Sequence, residues 1–150
     1  MTDIDDCPET PNTTADVKVY VASALSEVIT ARHIARGLES SGIGTTSRWH
    51  EVVEEGDVDP AYSLERSRIL GINLTDVSRA DVVVLWVATG KPRCGWVECG
   101  YALALGKPVV LVHGPEGEGT CLVDAHELVT PIASTEDVAK AVRAAVGRAP

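Results

Sequence analysis

The sequence lacks the features that mark several classes of protein. Its longest uninterrupted apolar run is far shorter than the roughly 18 to 20 residues that a membrane-spanning helix requires. No basic segment followed by an apolar one stands near its start, so no secretory signal is recognised. We therefore expect a cytoplasmic protein that does not associate with a membrane.

Cysteines are few, and their spacing fits no metal site. None of them forms a Cys-x-x-Cys pair or has a histidine partner at a ligand spacing; they are Cys7, Cys94, Cys99 and Cys121. Neither a zinc site nor a disulfide scaffold is indicated. We expect reduced thiols, no metal ion and no cofactor.

Basic residues are in the minority, with 13 Lys and Arg against 22 Asp and Glu. The acidic excess is concentrated in residues 1–16 and 51–59, which carry five acids each and no Lys or Arg. The rest of the chain is nearly neutral and offers no basic face. We therefore expect no nucleic acid as a partner.

The remaining composition is that of one folded domain. Hydrophobic residues make up 45% and charged residues 23% of the 150 positions, which is close to ordinary globular usage. Residues 1–16 have almost no apolar side chains, so they are predicted to form a disordered acidic tail. The domain is predicted to span residues 17–150.

Within this domain, short β-branched runs alternate with segments of helical periodicity, a pattern typical of parallel strands joined by crossover helices. Strands are predicted at 17–22, 43–48, 81–87, 107–113 and 127–132, and helices at 26–41, 60–80, 95–105 and 137–146. The pattern predicts an α/β fold with a doubly wound, mainly parallel five-stranded sheet of the flavodoxin-like or Rossmann-like type. The strand at 81–87 is the most apolar, so it is expected at the centre.

In such sheets, ligands bind at the carboxyl ends of the strands. This rule selects candidate substrate-binding positions, which are Ser23, Ser26, Trp49, His50, Thr89, Lys91, Arg93 and Gly95. Trp49 could stack on a nucleobase or fill the core, and His50 could bind a base edge or be an ordinary loop histidine. Lys91 and Arg93 precede a predicted helix, where they could bind a phosphate or simply be solvated.

Glu98 is the main candidate for chemistry. It is predicted in the first turn of the helix that follows the central strand. A carboxylate there could be catalytic, or it could only complement the helix dipole and the free N–H groups. Position in the sequence does not decide between these interpretations.

Four segments resemble the nucleoside 2-deoxyribosyltransferase family, which includes related 2'-deoxynucleoside 5'-phosphate and CMP N-hydrolases. They are VYVAS at 19–23, SRW at 47–49, NLTDVSRAD at 73–81 and VECGYALALGKPV at 97–109. The resemblance covers about residues 17–113. It implies that Glu98 is the nucleophile that attacks the anomeric carbon of the sugar and that Tyr20 faces the sugar. It also implies a homodimer or higher oligomer with shared sites.

The sequence departs from the family before the third strand, where the family often has an aspartate. The matching residue here is Asn73, which can hydrogen-bond but cannot supply an acid proton. Asp76 lies one helical turn further on and could substitute, or it could be an exposed helix acid. Asn73 and Asp76 therefore join Glu98 as candidate catalytic residues.

We predict an enzyme that cleaves or exchanges the N-glycosidic bond of a (deoxy)nucleoside or nucleotide through a covalent glycosyl-Glu98 intermediate. Deoxyribosyl transfer and hydrolysis differ only in the second acceptor, and the sequence does not distinguish them. A noncatalytic nucleotide-binding or sensing domain remains an alternative, because Asn73 replaces an acid. An NAD-cleaving enzyme of related architecture is a third possibility.

Overall fold

The computed structural model describes residues 16–53, 63–88, 92–115 and 122–148. Most of the predicted tail, at residues 1–15, lies outside the described residues, and so do the predicted binding residues Thr89 and Lys91.

Five parallel strands form one sheet with the order β2-β1-β3-β4-β5. The strands are β1 (Lys18–Ala22), β2 (Gly44–Thr45), β3 (Val82–Val87), β4 (Val109–His113) and β5 (Val129–Ile132). The predicted doubly wound, five-stranded α/β sheet is confirmed. The third strand is central, and its residues Val82–Leu85 are fully buried because helices cover both of its faces.

Five helices flank the sheet: α1 (Val28–Ser40), α2 (Trp49–Val52), α3 (Ser63–Arg79), α4 (Arg93–Ala104) and α5 (Val138–Val146). A 3-10 turn at Leu25–Glu27 precedes α1. Helices α1 and α5 pack together on one face of the sheet, and α3 and α4 on the other, as right-handed crossovers to either side of β1 require. The carboxyl ends of β1 and β3 meet where the order of the strands reverses.

The second strand is shorter than the predicted segment 43–48. After two residues of strand, side chains replace the backbone ladder: the Val21 N–H donates to Ser47 Oγ at 3.2 Å, and the Trp49 indole N–H donates to the Val21 carbonyl at 2.8 Å. These bonds draw the chain away from the sheet and into α2, which the sequence did not predict. Side-chain bonds to the backbone commonly compete with strand pairing in this way.

The inner face of α3 also differs from the prediction. Helical periodicity predicts an inward stripe of Leu70, Leu74 and Val77, but Leu70 is 41% exposed, and the buried positions among the described side chains of this helix are Asn73, Asp76 and Val77. Asn73 and Asp76 are polar, and each has a hydrogen-bonding partner in its buried position. Apolar periodicity alone could not identify them.

Helix α4 lies unusually close to the sheet at Gly95. A Cβ atom at this position would lie 2.6 Å from Leu85 Cδ1 and 3.2 Å from Pro92 Cβ, so any other residue would require the Leu85 side chain or the helix to move. The helix begins at Arg93 rather than near Gly95 as predicted. Glu98 is therefore its sixth residue and lies in the second turn.

Candidate active site

The centre of the candidate site is the carboxylate of Glu98, which is only 3% exposed. Its Oε1 atom accepts a hydrogen bond from the Tyr20 hydroxyl at 2.9 Å and another from Asn73 Nδ2 at 3.1 Å. Tyr20 belongs to β1 and Asn73 to α3. Three elements of the fold thus bring one charged group and two donors together.

The helix-dipole interpretation of Glu98 does not fit this arrangement. Free N–H groups occur in the first turn of a helix, whereas Glu98 lies in the second turn of α4. Its side chain bonds to a strand and to a neighbouring helix instead. A carboxylate buried on these contacts needs another explanation, and catalysis or ligand binding provides one.

Burial dominates the electrostatics of the site. Loss of hydration raises the pKa of Glu98 to about 7, although the hydrogen bonds from Tyr20 and Asn73 act in the opposite direction. Burial, followed by the nearby Glu98 charge, raises the pKa of Tyr20 far above its usual range. The tyrosine therefore remains a hydrogen-bond donor while Glu98 exchanges its proton near neutral pH.

Asn73 supplies a donor that does not depend on pH. Its Nδ2 must face Glu98, because a carbonyl oxygen in that place would repel the ionised carboxylate. Within the described part of the chain, Asn73 Oδ1 is buried and has no hydrogen-bond partner. The residue thus supports the charged form of Glu98 and cannot itself supply an acid proton.

Asp76 is committed to an ion pair. Its carboxylate is 1% exposed and accepts three hydrogen bonds from Arg48, at 3.1 and 3.0 Å from Nε and 2.6 Å from Nη2. It is therefore not the exposed helix acid considered above. Its lone pairs already bind a guanidinium, so a role as the proton donor that replaces Asn73 does not fit either.

Trp49 and His50 lie inside the domain rather than at an open edge. The Trp49 ring packs in the core and its N–H is bound to the Val21 carbonyl. His50 Nε2 is 3.0 Å from Ser47 Oγ, and burial lowers the pKa of this histidine. These positions correct the expectation that the two side chains contact a nucleobase, because no ring face or ring edge is open to one.

The other predicted binding residues surround the carboxyl ends of β1 and β3. Ser23 is buried and its hydroxyl donates to the Ala24 carbonyl at 2.9 Å, whereas Ser26 is exposed in the 3-10 turn. Arg93 is exposed at the first position of α4, and Gly95 faces the sheet in the first turn of the same helix. None of these four residues is hydrogen-bonded to Glu98 in the described structure, so their roles remain predictions.

Arg48 also lies in this region, and no role was predicted for it. It occurs in the SRW segment of the family resemblance, and that is the signal that could have drawn attention to it. The partner that explains it, Asp76, lies 28 positions away, and no local pattern joins the two.

Two searches of the described residues gave negative results. No group of three or more His, Cys, Asp or Glu side chains there could hold a metal ion. Within the same ranges, no helix has both the length and the apolar character needed to cross a membrane.

Comparison with known proteins shows similarity at the level of structure. The sequence matches no protein-family model and no curated protein sequence. A 2-deoxyribosyltransferase from Bacillus psychrosaccharolyticus superimposes with a TM-score of 0.63 and 24% identity, over 82% of this chain and 90% of that chain. A CMP N-glycosidase from Clostridium botulinum gives a TM-score of 0.54 and 13% identity, over 85% of this chain and 98% of that chain. The chain therefore has the fold of these two enzymes.

Proposed function

We propose that this protein breaks the N-glycosidic bond of a nucleoside or nucleotide, with Glu98 as the nucleophile. The observation that carries the proposal is the buried Glu98 carboxylate with two donors, Tyr20 and Asn73, on a single oxygen. The fold shared with a 2-deoxyribosyltransferase and a CMP N-glycosidase supports it. The sequence resemblance, which is strongest around Glu98, adds further support.

The two oxygens of Glu98 would have different tasks. Tyr20 and Asn73 both bind Oε1, and no described residue donates to Oε2. We assign the attack to Oε2, whose lone pair forms the new bond to the anomeric carbon. The C1'–N bond breaks at the same time, and its electron pair leaves with the base, which takes up a proton from water.

The enzyme-bound sugar ester is then released by a second acceptor. A free base that attacks C1' would give a new nucleoside, whereas water would give the free sugar. In both cases the Glu98 carboxylate is regenerated, and two inversions retain the configuration of the sugar. Transfer and hydrolysis therefore use the same first step.

The raised pKa of Glu98 suits this chemistry. A carboxylate near neutral pKa is partly ionised at physiological pH and is poorly hydrated, so little water must be removed before it attacks. The positive charge that develops on the sugar as the base leaves favours the ionised form further. The two donors keep the carboxylate from becoming fully neutral in its buried position.

Base release tests this function directly. The protein is incubated with 2'-deoxynucleosides, ribonucleosides and their 5'-phosphates, with and without a second free base, and the products are separated by chromatography. We expect base release by the wild type and by Glu136→Gln, an exposed control on the opposite side of the sheet, and none by Glu98→Gln. A sugar adduct on the Glu98 peptide after acid quench would demonstrate the covalent step.

A noncatalytic nucleotide-binding domain gives a different result. It would bind members of the panel, as measured by calorimetry, without releasing base from any of them. That outcome would contradict the proposal and would favour a sensing role. Release that is equal in the wild type and Glu98→Gln would also contradict it.

A further inference from the structure

The segment between β2 and α2, together with Trp49 at the start of α2, is fixed to the first strand by hydrogen bonds. The Thr46 N–H donates to the Val19 carbonyl at 2.8 Å. The Val21 N–H donates to Ser47 Oγ, and the Trp49 indole N–H donates to the Val21 carbonyl. The segment therefore moves with β1.

The same segment is also fixed to α3. Arg48 holds the Asp76 carboxylate through two atoms of its guanidinium, and Thr46 Oγ1 donates to the Asp76 carbonyl at 2.8 Å. Asp76 is almost completely buried, while the Arg48 side chain is 57% exposed. The ion pair thus joins a surface loop to the inner face of a helix.

These two attachments connect the elements that hold Glu98. The first strand carries Tyr20, and α3 carries Asn73 one turn before Asp76. Tyr20 and Asn73 are the two donors to Glu98 Oε1. Glu98 Oε1 is therefore one connection between β1 and α3. The segment between β2 and α2 is another, because its side chains bind both elements.

We propose that Arg48 is a positioning residue: by clamping Asp76, it sets the spacing between Tyr20 and Asn73 and so holds the Glu98 carboxylate in place. The planar guanidinium matches both carboxylate oxygens at once, which fixes direction as well as distance. A lysine at this position keeps the charge and loses the second contact. The effect on turnover rests on the proposed function, but the effect on Glu98 itself does not.

The titratable groups around Glu98 come from three elements. Tyr20 faces it from β1, and Asp76, paired with Arg48, lies on α3 close enough to raise the pKa of Tyr20. Cys94 and Cys99 belong to α4; the charge of the first contributes to the raised pKa of Tyr20, and burial, followed by the Glu98 charge, raises the pKa of the second. Arg48→Lys changes none of these charges, so a change in the Glu98 titration would report geometry.

The test is a carbon-13 NMR titration of protein labelled at the glutamate carboxyls, with Glu98→Gln used to assign the resonance. We expect Arg48→Lys to raise the pKa of Glu98 by about one unit, since a weakened hydrogen bond to a charged group has an effect of this size. Thr46→Val removes the other bond to α3 without a change of charge, and should raise the pKa by a smaller amount. In active protein, Arg48→Lys should lower kcat by about fivefold at pH 7, because a smaller fraction of Glu98 is ionised there, and leave KM nearly unchanged.

Arg32→Lys is the matched control. Arg32 donates from Nε to the His50 carbonyl at 2.6 Å and from Nη2 to the Val53 carbonyl, so it braces α2 without touching α3. We expect it to lower Tm and leave the Glu98 titration unchanged. The proposal is overturned if Glu98 titrates as in the wild type in folded Arg48→Lys and Thr46→Val, whatever their Tm.

The remaining outcomes are also decisive. If Arg48→Lys does not fold, Thr46→Val alone decides. A Glu98 pKa equal to that of the wild type in Thr46→Val would show that this segment does not position Tyr20 and Asn73, and the proposal would fail. If the titration shifts as expected but the wild type releases no base from any substrate, the positioning role stands and the proposed function fails.

Discussion

Tyr20 and Glu98 are 78 positions apart in the chain, yet the tyrosine hydroxyl donates a 2.9 Å hydrogen bond to the glutamate carboxylate inside the domain. The bond joins a buried strand to the second turn of α4. It stabilises the charge of Glu98 at a place where burial opposes that charge. The protonation of Glu98 is therefore the property on which changes to the site should act first.

Tyr20→Phe removes one of the two donors and should raise the pKa of Glu98 by roughly one to two units. Turnover at pH 7 should fall by roughly tenfold or more and recover near pH 9, because the ionised fraction returns there. The measurement is kcat as a function of pH. Tyr101→Phe, on the same helix as Glu98, should leave the profile unchanged. A loss of turnover that is equal at every pH would contradict the role given to Tyr20.

Glu98→Gln should make the protein more stable above pH 7 while it abolishes most turnover. In the wild type the folded-state pKa of Glu98 is about 7 against an ordinary value of 4.5. Between these values the unfolded chain releases a proton that the folded chain keeps, so wild-type stability falls as pH rises through this window. The amide side chain of Glu98→Gln does not titrate, so the stability of the variant does not fall in this window. The amide oxygen can still accept both hydrogen bonds.

The Tm values of the wild type and of Glu98→Gln should thus differ most at pH 8. They should converge below about pH 4, where Glu98 is protonated in both the folded and the unfolded wild type. Turnover should fall by about three orders of magnitude or more, the scale of removing a covalent nucleophile. A variant that is active and slightly less stable at pH 8 would return Glu98 to a merely structural role.

Asn73→Asp should change the shape of the pH–rate profile. The new carboxyl would lie about where Nδ2 is now, 3.1 Å from Glu98 Oε1, so the two acids would share a proton and titrate as a pair. We expect a bell-shaped profile, because at high pH both carboxylates are ionised, the hydrogen bond between them is lost and they repel each other. The wild type should show only a rise with pH. A variant profile identical to that of the wild type would show that the two side chains do not interact in solution.

The two bases that follow the third strand, Lys91 and Arg93, could bind a 5'-phosphate or be ordinary solvated side chains, and a double substitution distinguishes these alternatives. Arg93 is exposed at the first position of α4, and Lys91 lies outside the described residues. Replacement of both by Ala should lower kcat/KM for nucleotides by about tenfold or more, the scale of one charge-assisted hydrogen bond, and should spare nucleosides. Arg36→Ala, an exposed change on α1, is the control. Equal losses for both substrate types would indicate ordinary solvated bases.

Self-association is predicted from the outer side of α4. Val97 is 56% and Leu105 is 47% exposed, and Glu98, the one charged residue between positions 94 and 106, is buried. Exposed apolar side chains with no exposed charge between them favour association. Sedimentation should therefore show a homodimer or larger assembly, which Val97→Lys weakens and Val52→Lys, on α2, does not. A wild type that sediments as a monomer at every concentration would contradict this prediction.

The sequence was sufficient for the fold because the strands are continuous apolar runs, and the helices between them have clear periodicity. It was less informative about the site. Trp49 and His50 were placed at an open edge because the second strand was predicted to end beside them, whereas hydrogen bonds through Ser47 and the indole N–H turn the chain inward.

The contacts of Asp76 show the same limit of local patterns. An acid on a helix is usually solvated, and only the fold brings Arg48 within reach of it. Glu98 was identified from the motif around it, but its hydrogen bonds depend on how far α4 sits above the sheet. Spacing along the chain contains no information about that distance.

The single hydrogen at Gly95 also restricts how this chain can change over evolutionary time. Any larger residue there would collide with Leu85, whose Cδ1 atom lies 2.6 Å from where a Cβ would be. A lineage could enlarge position 95 most easily after position 85 had become smaller, because the Leu85 side chain would otherwise have to move. Substitutions at positions 85 and 95 should therefore occur together, although neither residue takes part in the hydrogen bonds to Glu98.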